Sequence, residues 1–278
     1  MNGKKQEGFL IDNQHRKISF CSWIPQKTRL QIVLVHGLSE HRRRYDRLAE
    51  ELCENSIAVH LADLPGHGLS EGIRGHIDYF GDYVDHLDWF IKSNPNIMKT
   101  KPLFLMGHSM GGLIASQYCM RYSGDCKGLI LSAPLTGFSL YPSLFLYATA
   151  QILAKKSPTR QLPKGFDISA LCRDRFKLDE YRCDPLRLHV ISPRLFVQMY
   201  DEARNLMNEA NSLQIPILLF SATKDRVISS SKNFSFFSRV GSEDKTFVVF
   251  TEAMHEIVQE KEAEQLLSKL TSWLKDRV

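Results

Sequence analysis

Ser109 sits between two glycines in Gly107-His108-Ser109-Met110-Gly111, directly after the apolar run Leu103-Phe104-Leu105-Met106. This pattern reads as a strand entering a sharp turn and then a helix, with one serine at the crest. A Cβ at either flanking glycine would clash in so tight a turn. The helix continues through Gly112-Leu113-Ile114-Ala115-Ser116-Gln117-Tyr118, and its N-terminus points back at the serine hydroxyl. An ordinary glycine-bearing turn of this kind has no use for a serine there, so Ser109 reads as a nucleophile. Its hydroxyl is weak at neutral pH and needs a base, which in turn needs an orienting group.

In a strand–turn–helix serine site the acid and then the histidine follow in chain order. Ile215-Pro216-Ile217-Leu218-Leu219-Phe220-Ser221-Ala222 is an apolar, β-rich run, and Asp225 follows its end. Thr246-Phe247-Val248-Val249-Phe250 is a second such run, with His255 in the loop beyond it. Both residues therefore leave neighbouring strand ends, where parallel-sheet sites collect. The other histidine downstream of Ser109 is His189, in a segment without strand character. The bland reading of Asp225 is a helix N-cap or surface ion pair, and that of His255 an exposed loop histidine.

Developing negative charge needs donors. Gln31-Ile32-Val33-Leu34-Val35 is a buried-type strand that runs into His36-Gly37-Leu38-Ser39-Glu40-His41. The backbone N–H of Leu38 in this loop and that of Met110 are the expected oxyanion hole. His36 reads as a structural residue shaping the loop.

These segments resemble α/β-hydrolases of the monoacylglycerol lipase and lysophospholipase group (the serine aminopeptidase S33-like, Hydrolase_4 family). The resemblance rests on His36 to His41 with Arg44-Tyr45, on Asp63-Leu64-Pro65-Gly66-His67-Gly68-Leu69-Ser70-Glu71-Gly72, and on the serine turn. It continues through Ser132-Ala133-Pro134-Leu135, Tyr181-Arg182-Cys183-Asp184-Pro185-Leu186, Ala222 to Val227 and Met254-His255-Glu256, nearly the whole chain. It implies that Glu40, Arg44, His108 and Tyr181 hold the glycerol head group. The chain departs from the pattern at Leu38 and Ser39, where the family's first loop often carries two small residues; Leu38 would narrow the acyl-side entrance.

The elements must put these residues together. Gly8-Phe9-Leu10-Ile11 and Lys17 to Trp23 alternate around Asp12-Asn13, which predicts an antiparallel hairpin. A polar helix is expected from about Arg43 to Asn55, then a strand at Ile57 to Ala62. Phe80, Val84, Leu87 and Ile91 recur at helical spacing before Pro95. The helix after Ser109 should stop near Gly124, a C′ glycine, and Gly128 to Ser132 is again strand. Strands alternating with helices mean an α/β fold: a mostly parallel central sheet with helices on both faces.

Between Pro134 and Ile215 the alternation fails, and a helical cap or lid is expected there. Residues 137–212 form the cap insertion, and 1–136 with 213–278 form the α/β-hydrolase core of a single domain. Phe138 to Leu153 is uncharged, and Lys155, Lys156, Arg160 and Lys164 follow. One reading is a lid helix whose apolar faces line an acyl tunnel and cap the core. The other adds shallow insertion into a membrane surface, lysines meeting anionic head groups. Pro142 interrupts the run and it is too short to span a bilayer.

Composition agrees with one large domain: 278 residues, 43% hydrophobic. Met1 to Glu7 is polar, so no secretory signal is expected. Six scattered cysteines form no CxxC or metal spacing and read as reduced thiols, giving a cytoplasmic expectation, peripheral at a membrane if the cap inserts. No cofactor or metal motif appears. The net charge of +5 is mild, and His41-Arg42-Arg43-Arg44 lacks interleaved aromatics. Nucleic-acid binding is therefore not expected, and the run reads as a solvated helix face with Arg44 turned to the pocket.

The expected function is hydrolysis of a monoacylglycerol-type lipid ester to a fatty acid and glycerol through an acyl-enzyme. Lysophospholipase or short-chain carboxylesterase activity is the near alternative. A peptidase is disfavoured because no acidic cluster is evident to hold a free amine. A non-catalytic ligand-binding hydrolase fold is disfavoured by the complete serine, acid and histidine set.

Overall fold

The computed structural model describes residues 3–122, 126–140, 142–164 and 167–278. In chain order the elements are β1 (Gly3–Ile11), β2 (Lys17–Pro25), β3 (Leu30–Val35), α1 (Asp46–Glu54), β4 (Ile57–Ala62), α2 (Gly81–Ser93), β5 (Leu103–His108), α3 (Met110–Arg121) and β6 (Gly128–Ser132). Then follow α4 (Leu144–Lys156), β7 (Leu162–Pro163), α5 (Arg175–Cys183), β8 (Val190–Ile191) and α6 (Pro193–Glu209). β9 (Ile217–Ala222), α7 (Ser230–Arg239), β10 (Lys245–Phe250) and α8 (Ala263–Lys275) complete the chain.

Eight strands form one sheet in the order β1-β2-β4-β3-β5-β6-β9-β10. β1 and β2 are antiparallel to their neighbours, and every pairing from β4 to β10 is parallel. The inner strands read as continuous apolar runs because both faces are covered. Successive side chains go to opposite sides: Val33, Leu105, Leu131 and Leu219 join the core under α2, α3 and α6. Ile32, Leu34, Phe104, Ile130 and Leu218 join the core under α1 and α8. Trp273 of α8 closes that second core by meeting Phe104 edge-on, with ring centroids 5.9 Å apart. Each fully buried Leu or Phe contributes about 1.5–3 kcal/mol of transfer free energy.

Local signals set the boundaries. Ser192 accepts the Leu195 N–H at 3.1 Å and Pro193 follows it as the first residue of α6, an N-cap with pre-set φ. Asp174 caps α5 through Phe176, and Ser229 caps α7. The helix expected from Arg43 instead begins as a 3-10 turn at Arg42–Tyr45, and α1 proper starts at Asp46. β1 begins at Gly3 rather than Gly8: as the sheet edge it pairs through its backbone and needs no apolar alternation. α3 ends at Arg121; Gly124, the expected C′ glycine, and Tyr141 of the apolar run lie outside the described residues.

Elements α4 to α6 and the short β7–β8 ladder lie between β6 and β9. α4 rests on α6, where Tyr147 donates to Asp201 at 2.5 Å and Phe138 stacks on Tyr200. Its first turn does not cap the core: Leu144, Phe145 and Leu146 are 89%, 82% and 53% exposed, and Ala150 is the one buried residue of α4. A helix apolar all round cannot bury every side against one neighbouring helix.

Candidate active site

Strand order reverses beside β3, whose neighbours β4 and β5 come later in the chain on opposite sides. The C-terminal ends of β3, β5, β9 and β10 all lie at one end of the parallel sheet, and the candidate residues follow them. Ser109 occupies the step from β5 to α3 at φ 52°, ψ −119°, a backbone region that side-chain-bearing residues rarely adopt. The conformation is over-determined. The Ser109 N–H donates to the Ser132 carbonyl at 3.1 Å, and its own carbonyl accepts from Gly112 and from Leu135, both at 2.9 Å. A Cβ at Gly107 would lie 2.3 Å from the Gly111 carbonyl oxygen, and one at Gly111 would lie 2.1 Å from that of Val35. Glycine is required at both, and the close approach of Gly111 is what draws the β3 loop up to the serine.

Asp225 and His255 meet because β9 and β10 pair in register, Phe250 opposite Ala222, and both loops leave the same edge. His255 Nδ1 lies 2.8 Å from Asp225 Oδ2. The other oxygen, Oδ1, accepts the N–H groups of Val227 and Ile228, each at 2.8 Å. Asp225 is therefore a fixed acceptor, not a helix cap, since Ser229 caps α7. The imidazole is held with Nδ1–H toward the carboxylate, leaving Nε2 as the basic nitrogen. His189 is exposed in the turn before β8, its Nδ1 2.6 Å from the Arg187 guanidinium.

The β3 loop carries Leu38, partly buried against the core, and Met110 opens α3, where a first-turn N–H has no intrahelical acceptor. His36 uses both ring nitrogens structurally: Nδ1 donates to the Gly37 carbonyl at 2.8 Å, and Nε2 accepts the Leu64 N–H at 2.9 Å. Burial keeps it neutral by lowering its pKa.

Next to these lies a buried polar cluster. Tyr45 donates to Glu40 Oε2 at 2.6 Å, and His108 Nε2 is 3.3 Å from Glu40 Oε1. The His108 ring also lies 4.7 Å from that of His255. Burial opposes charge on both partners, yet His108, Arg44 and Tyr45 hold the Glu40 carboxyl far below the usual range. For His108, burial is outweighed by Glu40, with Glu256 and Asp225 behind it, and its pKa rises. Arg44 pairs with Glu256 and lies over the Tyr181 ring, 4.6 Å from its centroid. Glu40, Arg44, His108 and Tyr181 thus share one cluster.

Sequence reasoning did not single out Glu256. Its side chain is buried, Oε2 takes Arg44, and Oε1 has no partner among the described residues. The signal available was its place directly after His255. The basic run reads differently too: Arg42 is buried, joined to Glu7 at 3.2 Å and to the Ser19 hydroxyl at 2.9 Å, so only Arg43 is a solvated face. Arg42 reaches across the sheet edge to β1 and β2, which come earlier in the chain and are not foreshadowed by its neighbours. Among the described residues no group of three or more His, Cys, Asp or Glu is arranged to hold a metal ion. No helix of the described residues is long and apolar enough to cross a membrane.

Residues 26–262 match the family model described as serine aminopeptidase, S33 (Hydrolase_4). The chain belongs to this family. It is 30% identical to the monoacylglycerol lipase of Mycolicibacterium smegmatis over 93% of this chain and 92% of that protein. With phospholipase YtpA of Bacillus subtilis the identity is 28%, over 88% of this chain and 95% of the relative. Among solved structures, the monoacylglycerol lipase of Paleococcus ferrophilus superposes with a TM-score of 0.85 at 28% identity, each chain covered completely. The architecture is the α/β-hydrolase fold, with its mostly parallel sheet and helices on both faces.

Proposed function

We infer that the chain is a carboxylic ester hydrolase acting on a monoacylglycerol-type lipid, releasing a fatty acid and glycerol through an acyl-enzyme. The observation that supports this reading is the buried His255–Asp225 bond, whose imidazole packs on His108, the residue before the strained turn of Ser109. Relatives named as monoacylglycerol lipase and as phospholipase support a lipid ester as the substrate class.

Ser109 Oγ attacks the ester carbonyl as His255 Nε2 takes its proton, and Asp225 holds the imidazolium that results. The tetrahedral oxyanion accepts the N–H groups of Leu38 and Met110; one such donor is worth about 100- to 1000-fold in rate. Collapse expels the glycerol oxygen, protonated from His255, and water repeats the sequence on the acyl-enzyme. Glu40, Arg44, His108 and Tyr181 hold the glycerol hydroxyls, and the orphan Oε1 of Glu256 supplies one further acceptor for a hydroxyl donor.

The family model carries an aminopeptidase description, and two carboxylates, Glu40 and Glu256, do stand near His108. Their charges are matched by His108 and Arg44, which leaves no net negative site for a substrate ammonium. This favours the ester. The exposed Leu144, Phe145 and Leu146 of α4, with Lys155 and Lys156 at its far end, make a surface that enters the head-group region of a membrane and delivers the lipid.

The test is oleate release from 1-oleoylglycerol by the wild type and Ser109→Ala. A fall of about 10⁴-fold or more supports the reading. Undiminished turnover in the variant removes it.

A further inference from the structure

Arg187 occupies the turn between α5 and β8, and it is half-buried. Its contacts are the Tyr181 ring, 4.8 Å from the guanidinium carbon, and His189 Nδ1 at 2.6 Å. Neither is an anion. Its Nε is buried with no hydrogen-bond partner, and it makes no ion pair among the described residues. A half-buried guanidinium ordinarily faces a carboxylate or a ligand anion.

The turn is fixed to the catalytic side of the molecule. Leu188 N–H donates to the Ser39 carbonyl of the β3 loop at 3.4 Å, and Arg74 donates to the Leu186 carbonyl at 3.1 Å. His41 Nε2 meets Asp184 at 2.6 Å. The β7–β8 ladder brings a second cation to the same place, because the Lys164 N–H donates to the His189 carbonyl at 3.0 Å. Burial, then the charge of Arg187, lowers the Lys164 pKa to about 7, against the pull of Glu40 and Glu256. Those same two carboxylates face Arg44 and His108, which leaves Arg187 without a carboxylate of its own among the described residues. Arg44 and Arg187 lie over one ring, Tyr181, which joins Arg187 to the Glu40, Arg44 and His108 cluster.

We propose that Arg187 and Lys164 form a phosphate-binding subsite beside this cluster, and that among monoacylglycerol-type esters the enzyme prefers one whose glycerol carries a phosphate. The planar fork of Arg187 suits two phosphate oxygens, and Lys164 supplies a point charge. The proposal rests on the ester-hydrolase reading of Ser109. The bond broken remains the acyl C–O bond. Water supplies the new oxygen of the fatty acid, and glycerol phosphate leaves with the proton that His255 returns. A phosphate dianion would also raise the Lys164 pKa and relieve its repulsion from Arg187.

The experiment compares kcat/KM for oleate release from 1-oleoyl-lysophosphatidic acid and from 1-oleoylglycerol, both in non-ionic mixed micelles. Wild type, Ser109→Ala, Arg187→Gln, Arg187→Lys and Lys164→Gln are assayed as full chains. The expected wild-type preference for the phosphorylated ester is about tenfold or more, falling at least about tenfold in Arg187→Gln and partly restored in Arg187→Lys. Being a ratio within one protein, it does not depend on the fraction folded. A wild-type preference for the neutral ester, unmoved by Arg187→Gln, overturns the proposal. Competitive inhibition by inorganic phosphate alongside that neutral preference assigns the cations to a free anion and overturns the head-group role. Absence of Ser109-dependent release from either ester overturns the underlying hydrolase reading as well.

Discussion

His255 Nδ1 stands 2.8 Å from Asp225 Oδ2, and both side chains are almost wholly withdrawn from water. Because Asp225 Oδ1 is already committed to two backbone N–H groups, the carboxylate cannot turn away. Asp225→Asn keeps an oxygen for those N–H groups but presents an NH₂ to Nδ1. That selects the tautomer with its proton on Nε2, which cannot accept from Ser109. Steady-state kinetics should show kcat reduced about 10⁴-fold with a nearly unchanged melting temperature. A loss below about tenfold would mean that the histidine is not the base.

Replacing Gly111 tests the turn itself. A methyl group there meets two backbone carbonyls, Val35 at 2.1 Å and His36 at 2.5 Å, and neither can move without shifting β3. Gly111→Ala should lower the unfolding free energy by about 3 kcal/mol and remove activity with it. Denaturant melts that match the wild type would contradict this packing.

Glu40 and His108 make stability depend on pH in a defined way. Unfolded, they titrate near their ordinary values of 4.5 and 6.5. The depressed Glu40 pKa contributes stability that is full above 4.5 and is lost as pH falls towards the folded value. The raised His108 pKa contributes stability that is full below 6.5 and is lost as pH rises through the folded value. Both are at full strength together only between about pH 4.5 and 6.5. The stability difference between wild type and Glu40→Gln should therefore be largest in that window and should shrink as pH rises through the raised His108 value. A difference that shows no decline at any pH above about 6.5 would contradict a charged Glu40–His108 pair.

How far the sequence reaches depends on whether a residue's neighbours are set by its own strand. The Ser109 turn and the Asp225–His255 contact are legible because each of these residues follows an apolar run of the parallel sheet. Glu256 is not, since its meaning comes from Arg44, more than two hundred positions earlier. Arg42 reads as surface charge until β1 and β2 are folded against it. The outward turn of α4 is equally hidden: a run apolar on every side does not say which side finds a partner.

That outward turn carries its own prediction. If Leu144 and Leu146 enter a membrane surface, changing both to Ser should weaken partitioning to anionic vesicles roughly thirtyfold, each leucine contributing about 1 kcal/mol when partly inserted. Flotation with vesicles of phosphatidylglycerol and phosphatidylcholine measures this directly. Equal flotation of the double variant would assign these side chains no membrane role.

The central claim is that Ser109 carries the acyl group. Intact-protein and peptide mass spectrometry, after rapid acid quench of turnover on a long-chain p-nitrophenyl ester, tests it most directly. The account predicts an acyl adduct confined to the peptide holding Ser109, absent from Ser109→Ala and from His255→Ala. An acyl adduct on another residue, or continued hydrolysis by Ser109→Ala, would contradict it.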